Sequence, residues 1–208
     1  MKGSLQSIIG KLEELFETFN QVYYNGELQK PVIAVFPDTT SGAYGWCTTW
    51  KAWKVVEEEQ VKDGYFEINV CAEHLTRPFY QVCATLLHEM VHLYNLQIGV
   101  KDTSRGGTYH NKKFKEEAEK RGLIIDKDYK YGWTVTYLDP STEKFIDTLG
   151  DNKFEMQRDK ALKCLPKGGK SSSSSRKYVC PSCGTIVRAT KEVNIICGDC
   201  NEKMEVEE

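Results

Sequence analysis

Residues 79–98 constrain the fold of this chain more than any other segment. Their sequence, FYQVCATLLHEMVHLYNLQI, is mostly apolar on every side of a helix. Pro78 before them suits the start of a helix, and Gly99 after them suits its end. An apolar helix of this kind is stable only in the interior of a domain. We therefore predict a central buried helix, in which each polar side chain needs a specific partner.

The polar residues of this helix form a His-Glu-x-x-His motif. His88 and His92 are four residues apart and so lie on one helical face, where both imidazoles can bind one metal ion. Glu89 lies about 100° further round, beside the metal rather than on it. It is placed to act as a general base on a metal-activated water. The alternative, two core histidines with an exposed Glu, would require a buried partner for each imidazole.

A catalytic zinc ion needs a third protein ligand and an open position. The remaining histidines are His74 and His110. His110 follows a Gly-Gly loop and is predicted to begin a second helix over residues 110–121, which can return it to the metal. Glu116 and Glu117 on the same helix are the alternatives. His74 is expected at the surface or as a cap.

The other elements indicate an α+β domain. An amphipathic helix is predicted over residues 4–22, and β-prone segments then precede the two helices. Asp63-Gly64 is a turn signal. The predicted strands cover residues 31–36, 43–50, 54–56 and 65–70.

The set of segments resembles the SprT-like zinc metallopeptidases. The matching pieces, from roughly residue 16 to residue 137, are FNQVYYNGELQKPVI, AYGWCTTW, YFEINV, TLLHEMVHLYN, YHNKKFKEEAEKRGL and YGWTVT. The resemblance implies a compact zincin-like domain in which His88, His92 and His110 bind zinc and Glu89 is the catalytic acid/base. It also implies DNA-bound or DNA-crosslinked proteins as substrates. The loop before His110 is longer and more polar than in some relatives.

A second metal site is predicted near the end of the chain. Two CxxC pairs, separated by 13 residues, are typical of a zinc ribbon with one tetrahedral structural zinc held by Cys180, Cys183, Cys197 and Cys200. Gly184 and Gly198 suit the tight turns of the two pairs. A module this small needs the metal to fold, and SprT-like proteins often carry such a ribbon. The scattered cysteines are expected to be small core residues: Cys47, Cys71, Cys83 and Cys164.

Composition and charge divide the chain into four parts. The predicted parts are a metallopeptidase domain (1–139), a basic Ser-rich linker (140–176), the ribbon (177–203) and an acidic tail (204–208). Residues 152–191 carry a net charge of +8, which is typical of a polyanion contact such as DNA. The alternative is a solvated linker with a folding or protein-contact module. The acidic tail argues against strong DNA affinity and can fold back on the basic stretch.

No apolar run is long enough for a membrane helix, and charged residues interrupt the N-terminal apolar segment as they would not in a signal peptide. We therefore expect a cytoplasmic protein without a membrane contact. The oxyanion stabiliser stays open, with four candidates by residue type: Arg105, Tyr109, Tyr131 and Tyr137.

Two functions are compatible with these patterns. One is a zinc-dependent endopeptidase with a protein substrate, acting on DNA-associated proteins. The other is a zinc-ribbon nucleic-acid-binding protein whose HExxH domain is a non-catalytic scaffold. The intact Glu89 favours the peptidase, because a scaffold needs no base beside its metal. The sequence does not indicate a cleavage preference or an oligomeric state.

Overall fold

The computed structural model describes residues 4–38, 42–57, 60–150, 153–159 and 175–207. The chain forms two compact units, Met1–Lys160 and Ala161–Glu208. The described helices of the first unit are α1 (Leu5–Tyr24), α2 (Phe79–Gln97), α3 (Lys112–Lys120) and α4 (Pro140–Thr148). Its described strands are β1 (Val32–Ala34), β2 (Gly45–Cys47), β3 (Trp53–Glu57), β4 (Gln60–Tyr65), β5 (Glu67–Val70), β6 (Thr103–Ser104), β7 (Tyr109–His110), β8 (Leu123–Asp128) and β9 (Gly132–Leu138).

Helix α1 begins and ends where its local sequence requires. Ser4 caps it, and Ser7 completes a reciprocal capping box. Asn25 ends it in the left-handed conformation, with φ 54°. The apolar stripe of α1, which includes Leu12 and Phe16, is buried in the main core.

Helix α2 is the buried centre of the first unit, as its apolar sequence predicts. It packs against α1, α3 and strands of both neighbouring sheets. Its fully buried side chains include Val82, Leu86, Met90 and Leu93. The helix ends just before Gly99, which has the left-handed conformation at φ 69°. In the described residues, no helix combines the length and apolarity needed to cross a membrane.

Two sheets flank α2. In the first, β5 lies between β1, which is parallel to it, and β2, which is antiparallel, so β2 is an edge strand. In the second the order is β6-β7-β9-β8, and β7 is joined to β9 by the single pair His110 and Gly132. This arrangement confirms the predicted α+β class. It also places β2 and β7 in the two sheets that contact α2.

The turn predicted at Asp63-Gly64 is wrong, because both residues lie inside β4. The strand pairs with β3 across a register irregularity between Trp53 and Val55. There the Trp53 carbonyl approaches Gly64 so closely that a Cβ would overlap it. The glycine is therefore required by a close backbone approach rather than by a turn.

The first unit continues past the predicted boundary at residue 139. Asp139 caps α4 and Pro140 occupies its first turn, an N-terminal pair that favours a helix. Ile146 and Phe154 are buried in the main core. Arg158 then forms an ion pair with Glu73, at 2.8 Å between Nη1 and Oε1. These contacts make residues beyond 139 part of the first unit, which extends to Lys160.

The second unit is a small three-stranded antiparallel sheet. Its strands are β10 (Arg176–Val179), β11 (Ile186–Ala189) and β12 (Glu205–Glu207), in the order β11-β10-β12. A minimal core of Tyr178 and Met204 packs with the cysteines. The acidic tail thus pairs with a basic strand, and Glu207 forms an ion pair with Lys177.

Candidate metal centres and active site

The structure brings the three predicted histidines together. His88 and His92 project from α2, and His110 comes from the two-residue strand β7. The Nε2 atom of His110 lies 3.2 Å from that of His88 and 3.1 Å from that of His92. Imidazole nitrogens at about 2.05 Å from a tetrahedral zinc ion would be about 3.3 Å apart. The three donors therefore converge at the spacing that fits one zinc ion.

Hydrogen bonds hold two of the rings with their metal-facing nitrogens unprotonated. His92 Nδ1 lies 2.7 Å from Asp102 Oδ2, and an acceptor carboxylate there assigns the proton to Nδ1. His88 Nδ1 lies 2.7 Å from the hydroxyl of Thr136, which itself donates to the Thr134 carbonyl. His88 must then donate from Nδ1. Both Nε2 atoms are left with a lone pair for the metal.

Asp102 is the centre of this supporting shell. It is only 7% exposed and also accepts a hydrogen bond from Asn95 Nδ2 at 3.0 Å. Burial raises its pKa, but the hydrogen bonds from His92 and Asn95 and the charges of His92 and His110 together lower the pKa of Asp102 overall. The carboxylate consequently stays charged and orients the His92 ring.

One apolar ring packs against all three imidazoles. The Phe114 centroid lies 4.5 Å from that of His88, 4.6 Å from that of His92 and 4.8 Å from that of His110. Phe114 is in the first turn of α3, which Asn111 caps. The prediction that His110 begins this helix is wrong: His110 precedes the cap and lies in β7, because the Asn111 side chain satisfies the first N–H groups of α3.

Two of the three histidines, His88 and His110, favour the neutral form that a metal needs. Burial, followed by the charges of His92 and His110, holds the pKa of His88 well below its ordinary value. Burial and His92 lower the pKa of His110 to about 4. Burial also lowers the pKa of His92, but its hydrogen bond to Asp102 and the charge of Glu89 raise it overall.

Glu89 is buried beside the three rings, with 5% of its surface exposed. Burial raises the pKa of its carboxyl group to about 7, partly opposed by His92 and by a hydrogen bond from the Cys47 backbone. A Cβ at Gly45 would lie 3.3 Å from Glu89 Oε1 and 2.7 Å from the Asn69 carbonyl. The edge strand β2 therefore passes directly over Glu89, and glycine is needed at the crossing.

The alternative ligands are engaged elsewhere. Glu117 pairs with Arg121, at 2.7 Å between Oε1 and Nη2. Glu116 is exposed on α3, and the His74 ring packs on Tyr44. Neither glutamate belongs to the histidine group, and His74 lies outside it as well.

The side chains of the four oxyanion candidates make other contacts or are exposed. Arg105 stacks on the Tyr109 ring, Lys130 lies over Tyr131, and Tyr137 is largely exposed on β9. Within the described ranges, none of the four side chains has a hydrogen bond or ring contact with the histidines.

Sequence reasoning missed the supporting residues. Asn95 offered a signal, because a polar side chain three residues after His92 in an apolar helix requires a buried partner. That partner is Asp102, in a polar loop with no sequence pattern of its own. Thr136 becomes recognisable only when β9 is placed beside α2.

Removal of the Asp102 carboxylate should weaken zinc binding at the histidine site. An Asp102→Asn variant keeps the shape of the side chain but loses the charge that orients His92. Such changes typically cost about 10–100-fold in metal affinity. Competition with a chromophoric chelator would measure the loss. Asp126→Asn, at an exposed residue of β8, is the matched control; equal affinities in the two variants would contradict the role of Asp102.

The four ribbon cysteines also converge. Their sulfur atoms lie within 4.8 Å of one another, and those of Cys183 and Cys197 are 3.6 Å apart. Four thiolates at about 2.3 Å from a tetrahedral zinc ion would be about 3.8 Å apart, so the group fits one zinc ion. The hydrogen bond from Thr185 lowers the pKa of Cys183, which favours its thiolate form, whereas the hydrogen bond with Cys183 raises the pKa of Cys200.

The two CxxC turns are built alike. The Gly184 N–H donates to the Cys180 carbonyl at 2.9 Å, and the Asn201 N–H donates to the Cys197 carbonyl at 2.8 Å. Gly184 has φ 72° and Asn201 has φ 54°. Gly184 therefore has the predicted role. Gly198 also lies in its predicted turn, but the left-handed position there falls on Asn201, a residue type that tolerates it.

Comparison with known proteins agrees with this geometry. A sequence model of the SprT-like family matches residues 12–127, more than half of the chain. No curated protein and no solved structure matches the chain significantly. The matched range includes α2, β7 and all three histidines, so the chain belongs to the SprT-like family.

Proposed function

We propose that this protein is a zinc-dependent endopeptidase. The observation that carries the proposal is the position of Glu89, a buried carboxylate beside three converging imidazoles but outside their ligand group. A zinc ion held by His88, His92 and His110 supplies Lewis acidity and activates water for hydrolysis. Glu89 is the residue of this chain that would take the proton and pass it to the leaving amine.

The backbone of β2 holds Glu89 in place. The Cys47 N–H donates to its carboxylate, and the crossing at Gly45 leaves no room for a side chain above it. Fixed in this way, the carboxylate can act on water without first changing position, which is the advantage of a preorganised base.

The free edge of β2 offers a place for an extended peptide. The Thr48 N–H donates to the Glu67 carbonyl of β5, the Tyr44 carbonyl accepts from the N–H of Cys71 just after β5, and Trp46 is paired with Asn69. Because such bonds alternate along an antiparallel strand, the backbone groups of Gly45 and Cys47 face the other edge. In the described part of the chain, β2 pairs only with β5. A substrate strand added here would pass beside Glu89.

We further propose that the substrates are associated with DNA. In the described ribbon, Lys177 and Arg188 are opposite each other on β10 and β11. Like charges placed opposite each other are unfavourable unless an anion lies between or near them. Glu207 supplies part of that charge to Lys177. A phosphate backbone would supply the rest. The same basic stretch includes Arg176 and Lys191, which are described, and Lys163, Lys167 and Lys170, which lie outside the described residues.

Comparing the full chain with a variant lacking residues 166–208 would test both parts. We expect both proteins to cleave an unfolded protein, because the histidine site lies wholly in the first unit. Only the full chain should bind a DNA oligonucleotide tightly, with an affinity that falls steeply as salt increases. Only the full chain should cleave a DNA-binding protein faster in the presence of DNA than in its absence.

Two other outcomes would redirect the assignment. Tight DNA binding by a full chain that cleaves no protein would favour the nucleic-acid-binding scaffold. Equal DNA affinity of the two proteins would exclude the ribbon and the preceding basic stretch as the DNA contact.

A further inference from the structure

Arg77 lies just before α2 and is fixed by three neutral partners. Its Nε donates to the His74 carbonyl at 2.8 Å, and its Nη2 donates to Thr85 Oγ1 at 3.1 Å. Its guanidinium group stacks on the Tyr44 ring, 4.0 Å from the ring centroid. These contacts use only part of the five N–H donors of arginine. The remaining donors are held in a defined orientation.

Thr85 and Gly45 connect the stacked pair of Arg77 and Tyr44 to the surroundings of Glu89. Thr85 precedes Glu89 by four residues, so the two share one face of α2 and are about one helical turn, 5.4 Å, apart. A Cβ at Gly45 would lie 3.0 Å from Thr85 Cγ2 and 3.3 Å from Glu89 Oε1. Tyr44, which directly precedes Gly45, is 51% exposed. The stacked pair therefore lies one residue along the chain from Gly45, the residue of β2 that crosses Glu89.

The charge of Arg77 has no counterion in the part of the chain that the structure describes, since every ion pair found there involves other cations. The first turn of α2 also lacks an acidic residue. Burial lowers the pKa of Arg77, which reflects the cost of removing its charge from water. A partly buried cation without a partner is unfavourable unless a ligand compensates it.

Arg121 is a second partly buried arginine that stacks on aromatic rings, and its partners can be compared with those of Arg77. Its guanidinium stacks on two tyrosine rings, Tyr24 and Tyr94, each 4.6 Å away. It also pairs with the buried carboxylate of Glu117 at 2.7 Å. Arg77 has the stacked ring but lacks the carboxylate. Both arginines are partly buried, so the missing carboxylate is what distinguishes Arg77.

We propose that Arg77 and Tyr44 form a subsite that binds a carboxylate group of the substrate, about one helical turn from Glu89. The guanidinium group would receive the carboxylate through its remaining N–H donors, the geometry in which arginine binds carboxylates most strongly. The Tyr44 ring would cover the apolar part of the same substrate residue. The proposal rests on the proposed peptidase function, for which it names a preference for acidic substrates.

Matched peptides would test the subsite in the zinc-loaded full chain. One pair differs by Glu or Gln near the cleaved bond, both with amidated C-termini. A second pair differs by a free or an amidated C-terminus. We expect the carboxylate-bearing member of one pair to be cleaved with a kcat/KM about 10-fold higher or more, mainly through KM. The first pair would indicate a side-chain carboxylate, and the second would indicate the peptide C-terminus.

Variants of Arg77 separate recognition from support of the fold. Arg77→Gln keeps a donor for Thr85 and should abolish the preference while neutral peptides are still cleaved. Arg77→Glu should reverse the preference, so that a Lys peptide is cleaved better than a Glu peptide. If Arg77 has only a structural role, both substitutions will lower the cleavage of all peptides equally and will not reverse the preference. That result would overturn the proposal.

Binding distinguishes failure of the subsite from failure of the peptidase function. Fluorescence anisotropy of the same peptides, measured with the Glu89→Gln variant, does not depend on cleavage. If no peptide is cleaved but binding of the acidic peptides requires Arg77, the subsite is supported and the peptidase function is wrong. If peptides are cleaved without a carboxylate preference, the subsite is wrong. If binding shows no preference either, the subsite fails whatever the activity.

Discussion

Replacement of Glu89 by Gln should lower peptide cleavage by about 10²–10⁴-fold while both zinc ions stay bound. The amide is nearly the same size as the carboxylate, so it fits beneath Gly45 and beside the Cys47 N–H. It cannot accept the proton of the attacking water. Glu89 lies outside the ligand group of the three histidines, so the metal should not be affected.

The rate should be measured together with zinc content and thermal unfolding. The amide keeps an oxygen that can accept the hydrogen bond from the Cys47 backbone, so it is not expected to lower the melting temperature strongly. Asp126→Asn, with the same kind of change at an exposed carboxylate, should retain full activity. A Glu89→Gln variant that cleaves as fast as the parent protein would show that the mechanism does not use this base.

The His110→Ala variant should lose the catalytic zinc ion altogether. The full chain is expected to bind two zinc ions, one at the three histidines and one at the four cysteines. Removal of His110 leaves two imidazoles, both on α2, which cannot hold zinc in a catalytic geometry. The metal content measured after purification should fall from two equivalents to one, and cleavage should fall to background.

The two glutamates of α3 provide the matched comparison. Glu116 is exposed, so Glu116→Ala should change neither metal content nor stability. Glu117→Ala removes the buried partner of Arg121 and should lower the melting temperature, but it should leave two zinc ions. Retention of two zinc ions by His110→Ala, with loss in either glutamate variant, would move the third ligand to α3.

The site could be predicted from sequence as far as its residues follow a helical period. The spacing of His88, Glu89 and His92 on an apolar segment was sufficient to predict both a buried helix and a metal. His110 could be proposed as a ligand, but its strand could not be predicted. A two-residue strand has no periodicity, and its one pair with Gly132 connects residues that are distant in the sequence.

Other features depended on contacts that no local pattern encodes. Gly64 is required by the Trp53 carbonyl, which is a relation between two strands rather than a turn preference. The extent of the first unit is a different case. Asp139 and Pro140 are a recognisable helix start, but the basic charge and serines that follow are typical of a linker. Phe154 is buried in the main core, so the first unit continues beyond α4.

The origin of the three ligands has a thermodynamic consequence. Two come from a long buried helix, whereas the third comes from a strand of two residues, which has two register pairs with the equally short β6 and one with β9. A metal ion joining them acts as a cross-link that closes the chain between His92 and His110. Part of its binding free energy must then be spent on ordering that segment. Metal affinity and local stability of the segment are consequently two measures of one equilibrium, and a substitution that loosens the loop will weaken the metal even if it touches no ligand.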